Sequence, residues 1–243
     1  QPIMGFLLVG ATAALPQPVV PAADQGLAIL YEDADLIVVD KPASLLSVPG
    51  RTRDRQDSVF SRLRCQYPNG EYLQTVHRLD QETSGVLLVA RTPAAYQALS
   101  EQFRRHQVQK YYEAIVVGEL TSTCGRIALP LWGQPQNRPQ QSVNLQRGKA
   151  SYTDYRVLDV TAGHTRLELH PLTGRTHQLR VHAADSLGLG APILGDRLYG
   201  LPITTSLGSS EALSTRLHLH ATSLNILLPS SAQRLQFKSH PPF

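Results

Sequence analysis

A chain of 243 residues that is 42% hydrophobic can fill a continuous core, which reads as globular and allows one large domain or two small ones. Lys and Arg outnumber Asp and Glu by 23 to 19, a net charge of +4 that leans toward a polyanionic partner. The two cysteines, Cys65 and Cys124, lack CxxC spacing, which excludes a disulfide framework or a zinc knuckle and fits a reducing cytoplasm.

Residues 1–26, QPIMGFLLVGATAALPQPVVPAADQG, carry a short apolar run and small residues, as a signal peptide does, but no basic start. The run is too short to span a bilayer, and the segment is expected to be an N-terminal leader packing on the surface. From 27 to 243 no linker or internal repeat interrupts the chain.

LAILYEDADLIVVDKP holds two runs of Leu, Ile and Val around an acidic turn and ends at Pro42, which predicts a strand pair. SLLSVPGRTRDRQ is expected to be a loop. In DSVFSRLRCQYP, Val59, Leu63 and Tyr67 fall at helical spacing until Pro68 stops it. Two apolar runs then flank the polar turn in TVHRLDQETSGVLLVART. Thr92 is placed to cap a helix starting at Pro93, with Tyr96, Leu99 and Phe103 along one face.

From Tyr111 the pattern is strand-like in YYEAIVVGEL, GRIALPL, SYTDYRVLDV and TRLELHPL, while WGQPQNRPQQSVNLQRGKA is expected to be a loop. A further helix is expected from Arg175 or Thr176 to Ser186, and RLHLHATSLNILL and RLQFK close the chain as strands. Strands in runs with few helices predict an α+β domain on a mixed, mostly antiparallel sheet with flanking helices.

The turn holding His77, Arg78 and Asp80 poses the functional question. An Arg and an Asp two residues apart usually make a surface ion pair, yet here they sit between apolar runs and are followed by Thr83, Ser84 and Gly85. HRLDQETSGVLLVA resembles the HRLD motif of the RluA family of pseudouridine synthases, DADLIVVDKPASLLSVPG its opening strand pair, and HPLTGRTHQLRVH its arginine-bearing motif. KYYEAIVVG, PILGDRLYG and LHLHATSL continue the likeness in order, covering about residues 28 to 243. LSVPGR and NRPQQSV with GKASYTDY resemble in particular the member that modifies both 23S ribosomal RNA and transfer RNA.

The resemblance implies an eight-stranded mixed sheet with the active site in a central cleft. It also implies a catalytic domain over residues 27–243, an isomerase acting on structured RNA (23S rRNA or tRNA stem-loops), and no metal, cofactor or membrane; many relatives carry an S4-type RNA-binding domain ahead of it, which the roughly 26 residues before the match are expected not to contain. A cytoplasmic monomer is expected. Converting uridine to pseudouridine breaks the bond from N1 to the ribose and rejoins the base through C5, which a carboxylate can assist without a cofactor. The resemblance maps that carboxylate onto Asp80, with attack on the sugar and abstraction of a ribose proton both open.

On the same mapping Arg175 pairs with Asp80 and Tyr112 stacks on the uracil and assists removal of the C5 proton. Leu179 lies beneath the base, and Arg78 enters the RNA as the nucleotide flips out. Adjacent strand residues face opposite sides, so only one of Tyr111 and Tyr112 can face the cleft. His77 is counted among the substrate-contacting candidates, with packing as its alternative role. Arg51, alternating with Arg53 and Arg55, and the group of Arg104, Arg105 and Lys110 are candidates for phosphate contact.

Two rival readings remain. A metallohydrolase would use His177 with His182 or His218 with His220, but no HExxH or Cys–His set completes a site. A noncatalytic RNA-binding module would be expected to have lost Asp80, Tyr112 or Arg175.

Overall fold

The computed structural model describes residues 26–68, 72–200, 216–231 and 233–243, so the leader expected at 1–26 lies almost wholly outside the described residues. The strand pair opens the fold as β1 (Ala28–Glu32) and β2 (Leu36–Lys41). Its turn is closed by Asp33, whose carboxylate accepts from the N–H groups of Asp35 and Leu36 at 2.8 Å each. Then follow α1 (Val59–Gln66), a two-residue β3 (Gln74–Thr75), β4 (Ser84–Ala90), α2 (Pro93–Arg104) and β5 (Gln109–Val117).

The later part comprises β6 (Cys124–Ile127), β7 (Leu131–Gly133), β8 (Gln141–Val143), β9 (Thr153–Thr161), β10 (His164–Pro171), α3 (Gln178–Ala184), β11 (Leu219–Leu227) and β12 (Arg234–Lys238). The segment expected to be a loop after Leu131 therefore contains a small hairpin, β7–β8, which its Pro and Gln content hid. The last helix is also shorter than expected, because His177 adopts a left-handed backbone and α3 begins only at Gln178.

Eight strands form one path in the order β1-β2-β4-β11-β5-β10-β9-β6, with β12 and β3 pairing beside it. Every pairing is antiparallel among the described residues except β4 with β11. That is the mixed, mostly antiparallel sheet expected. Both faces of β4 are buried, which accounts for its unbroken apolar run.

Alternation sends Leu36, Val38, Val86 and Leu88 to one face, where α2 covers them through Ala95 and Leu99. Ile37, Val39, Leu87 and Val89 face α1 through Val59 and Leu63. Each such fully buried aliphatic side chain contributes about 1.5–3 kcal/mol. Thr92 caps α2 as expected, accepting from Ala95 N–H at 3.0 Å ahead of Pro93, and Ser58 with Ser61 forms a reciprocal capping box on α1. A third cluster, of Ala114, Leu167, Leu169, Leu179 and Ile193, packs around α3. Tyr112 packs against both the α1 and the α3 clusters, so those helices share a face of the sheet with Tyr112 between them.

Candidate active site

Asp80 sits in the turn between β3 and β4, and the loop after β2 fixes that turn from both sides. The Ser47 hydroxyl donates to Leu79 C=O at 2.8 Å and accepts from Leu79 N–H at 3.0 Å, both bonds buried. The Lys41 ammonium, with no exposed surface, donates to Gln81 C=O at 2.9 Å, to Leu45 C=O at 2.6 Å and to Pro42 C=O at 2.9 Å. The backbone is thus clamped on either side of Asp80. Burial pushes Lys41 down to about 7, against the opposing pull of the Glu82 and Asp80 charges.

The Thr-Ser-Gly that follows has a packing reason. Gly85 faces Ala221 across the parallel pair with φ 109°, and a Cβ there would lie 2.2 Å from the Ala221 carbonyl oxygen. Ser84 bonds the His220 ring at 2.8 Å and accepts from Arg216 at 2.8 Å. Thr83 is buried beside Asp80 with its hydroxyl unpartnered among the described residues.

A cleft of about 1180 Å³ opens over this turn, and Asp80, Arg78, His77, Tyr112, Leu179, Arg175 and Arg51 all line it. The Asp80 carboxylate makes no hydrogen bond or ion pair among the described residues, nor do the exposed guanidiniums of Arg78 and Arg51. Tyr112 is the tyrosine that faces the cleft. Tyr111 instead stacks on His170 at 4.7 Å. Burial, with the Asp80 charge adding to it, holds the Tyr112 hydroxyl well above the usual phenol range. Tyr112 therefore keeps its proton at neutral pH, which suits stacking and hydrogen-bond donation more than action as a base. Leu179 forms part of the buried floor.

His77 has a packing role as well as a place on the cleft wall. Its Nε2 accepts from Leu88 N–H at 3.1 Å, its ring stacks on Phe103 at 4.8 Å, and burial with the nearby Lys110 charge lowers it to about 3, so it stays neutral. In the basic groups, Arg104 and Arg105 both bond Glu101, which reduces their free charge, and Arg55 donates to Gln81 at 2.6 Å.

The Arg175–Asp80 pair expected from the motif is not formed. Arg175 is exposed and its Nε donates to Ala150 C=O at 3.2 Å. The buried guanidinium on the cleft wall is Arg180, five residues on. It makes a two-pronged bond to Asp196 at 2.7 and 2.7 Å. Burial opposes its charge, but the bonds and charge of Asp196, then the charge of Asp80, more than offset this and raise it. Asp196 also accepts from Leu198 and Tyr199 N–H at 2.9 and 3.0 Å. Sequence reasoning missed Lys41, Ser47, Arg180 and Asp196, although all four lie in DKPASLLSVPG, HQLR and PILGDRLYG, within the segments that resemble the family.

The histidines proposed for a metal are already bonded within the fold. His220 bonds Ser84 and Ser239 through its two ring nitrogens, and His182 bonds Thr153 through one and Leu129 C=O through the other. Among the described residues no group of three or more His, Cys, Asp or Glu is arranged to hold a metal ion.

Comparison with known proteins gives the family. The family model described as RNA pseudouridylate synthase matches residues 35–185. The chain is 44% identical over 224 residues to the dual-specificity RNA pseudouridine synthase RluA of Escherichia coli K12, covering 92% of this chain and 97% of that one. It is 40% identical over 227 residues to the RluA of Haemophilus ducreyi, with the same coverage, 92% and 97%. Among solved structures, human RNA pseudouridylate synthase domain containing 1 superposes with a TM-score of 0.72 at 29% identity, over 90% of this chain and 84% of that one.

Proposed function

The chain belongs to the RNA pseudouridylate synthase family, and we propose that within it this enzyme isomerises uridines in stem-loops of 23S ribosomal RNA, transfer RNA or both, with Asp80 as the group that acts on the ribose. That it is an RNA pseudouridine synthase, an isomerase, follows from family membership. Action on more than one RNA is supported by relatives whose names call them dual-specificity enzymes, and the choice of 23S ribosomal and transfer RNA by the resemblance in LSVPGR, NRPQQSV and GKASYTDY.

The observation that carries the role of Asp80 is a carboxylate on the cleft wall with no internal partner, on a turn whose two flanking peptides are clamped by Ser47 and Lys41. A side chain so placed has its charge free for the substrate while its backbone is immobile, the preorganisation catalysis needs. Attack on C1′ and removal of a ribose proton both use that free charge. In either route N1–C1′ breaks, C5–C1′ forms, the C5 hydrogen leaves as a proton and N1 gains one.

Arg180 takes the part given to Arg175 from sequence, steadying the Asp80 carboxylate by charge while Asp196 fixes its orientation. Tyr112 stacks on the uracil over Leu179. Arg78, exposed and without an internal partner, supports the gap left by the flipped nucleotide, and Arg51 meets phosphates. We place the catalytic domain at residues 27–243, supported by one sheet that runs from Ala28 to Lys238. A cytoplasmic setting is the matching proposal, supported by two exposed free cysteines, which suit a reducing compartment; a monomer is proposed with it. Mapping pseudouridines in ribosomal and transfer RNA from cells with and without the protein tests the reading: loss of defined sites supports it, and an unchanged map contradicts it.

A further inference from the structure

His177 precedes α3 with φ 53° and ψ 20°, a left-handed conformation that carries strain of about 1–3 kcal/mol for a residue other than glycine. Its ring lines the cleft. Nδ1 lies 2.7 Å from the Tyr199 hydroxyl, and that oxygen lies 2.8 Å from the Gln141 backbone nitrogen. A backbone N–H can only donate, so Tyr199 accepts from Gln141; the one acceptor its own proton has among the described residues is Nδ1, and the assignment that satisfies that proton makes Nδ1 the acceptor. A neutral imidazole that accepts at Nδ1 carries its proton on Nε2.

Nε2 has no partner among the described residues, on a side chain that lines the cleft. An N–H donor is therefore left on the cleft wall. The surroundings keep the ring neutral: burial lowers it most, Arg180 lowers it further, and the charges of Asp80 and Asp196 pull the other way without prevailing. The Arg180 guanidinium also lies over the Tyr199 ring, 5.2 Å from its centroid, and helps hold the tyrosine in place.

We propose that His177 Nε2–H is the donor that recognises a carbonyl oxygen of the flipped uracil. The inference rests on the reading that this cleft isomerises uridine. When N1–C1′ breaks, negative charge spreads over N1, O2 and O4 of the detached base. A fixed N–H aimed at O2 or O4 stabilises that charge. Because a neutral imidazole is a far weaker acid than an imidazolium, it donates a hydrogen bond and keeps its proton, leaving the base an anion able to rejoin through C5. If the oxygen is O4, the same donor opposes cytosine, whose amino group at that position would meet it donor to donor.

The test crosses His177→Asn, which tolerates the left-handed backbone, with target RNAs carrying 2-thiouridine or 4-thiouridine, whose sulfur is a weak acceptor. His177→Asn is expected to lower kcat on the order of 10²-fold with KM within about threefold. One of the thio-RNAs should slow the wild type roughly tenfold but slow the variant less than about twofold, since the bond it weakens is already gone. A merely structural histidine would leave the thio effects equal in both enzymes, which would overturn the inference while an active wild type left the isomerase reading standing. A wild type that isomerises no uridine would overturn both. Spectra of the ¹⁵N-histidine-labelled wild type give a check that needs no folded His177 variant. The resonance that moves in Tyr199→Phe should show bare Nδ1 and protonated Nε2, and a ring protonated at Nδ1 would overturn the proposal.

Discussion

Ser47→Ala removes one oxygen and leaves both the N–H and the C=O of Leu79 without the partners they hold at 3.0 and 2.8 Å. Ser47 is 3% exposed, so water cannot easily replace the hydroxyl. Each orphaned buried backbone group costs about 1–3 kcal/mol, so the pair costs on the order of 4 kcal/mol. For a chain of this size that lowers Tm by roughly 8–16 °C. Freed from its clamp, Leu79 also lets Asp80 shift, and a displacement of about 1 Å can cost on the order of 10² in rate. Calorimetry gives the first quantity and single-turnover kinetics well below the variant's Tm gives the second. Ser44→Ala is the control, because its exposed hydroxyl only bonds Glu82 at 3.2 Å and its loss should cost less than about 0.5 kcal/mol. If Ser47→Ala melts with the control and turns over at the wild-type rate, the clamp does not position Asp80.

The two arginines are separable: Arg180→Lys should lower single-turnover rates by about 10²-fold or more, because an ammonium cannot reproduce its two-pronged hold on Asp196, whereas Arg175→Lys should stay within about threefold. The opposite ranking would return the role to Arg175. Arg78→Ala should lose more activity on a folded stem-loop than on a flexible oligonucleotide whose uridine is already unstacked. Equal losses with a shallower dependence of binding on salt would make Arg78 an ordinary phosphate contact. Lys41 predicts a pH effect on stability. Its folded value of about 7 lies below its ordinary 10.5, so between those values the unfolded chain binds a proton that the folded one does not. Stability should therefore rise with pH across that window by up to about 1.4 kcal/mol per unit relative to Lys41→Met, and below pH 7 the cost of burying the charge stays in full. Parallel urea-denaturation profiles for the two proteins between pH 7 and 10 would mean the buried amine does not lose its charge.

Local signals in the sequence reached the structure almost unchanged. Thr92 and Pro93 start α2 at the expected residues, since a cap and a fixed φ act within one turn, and strand alternation left one of Tyr111 and Tyr112 for the cleft, which is Tyr112, the residue the family resemblance points to. What failed was decided by contacts distant in sequence. Arg175 and Arg180 stand five apart in one motif, and only the carboxylate of Asp196, arriving from a later loop, marks Arg180 as the buried one. Lys41 reads as a charged strand end, yet three carbonyls of two loops converge on it. The β7–β8 hairpin is too short and too rich in Pro and Gln for periodicity to register. Gly85 owes its place to the closeness of β11, which no local pattern encodes.

The central claim is that the free carboxylate of Asp80 performs the isomerisation, and Asp80→Asn tests it most directly because it removes the charge at nearly constant shape. The measurement is tritium release from C5-labelled uridine in target RNA, alongside the affinity of the variant for the same RNA. The account predicts affinity within about threefold of wild type, since no phosphate contact is lost, and no tritium release above background. Release well above background by a folded, RNA-binding Asn variant would show that another group carries the reaction.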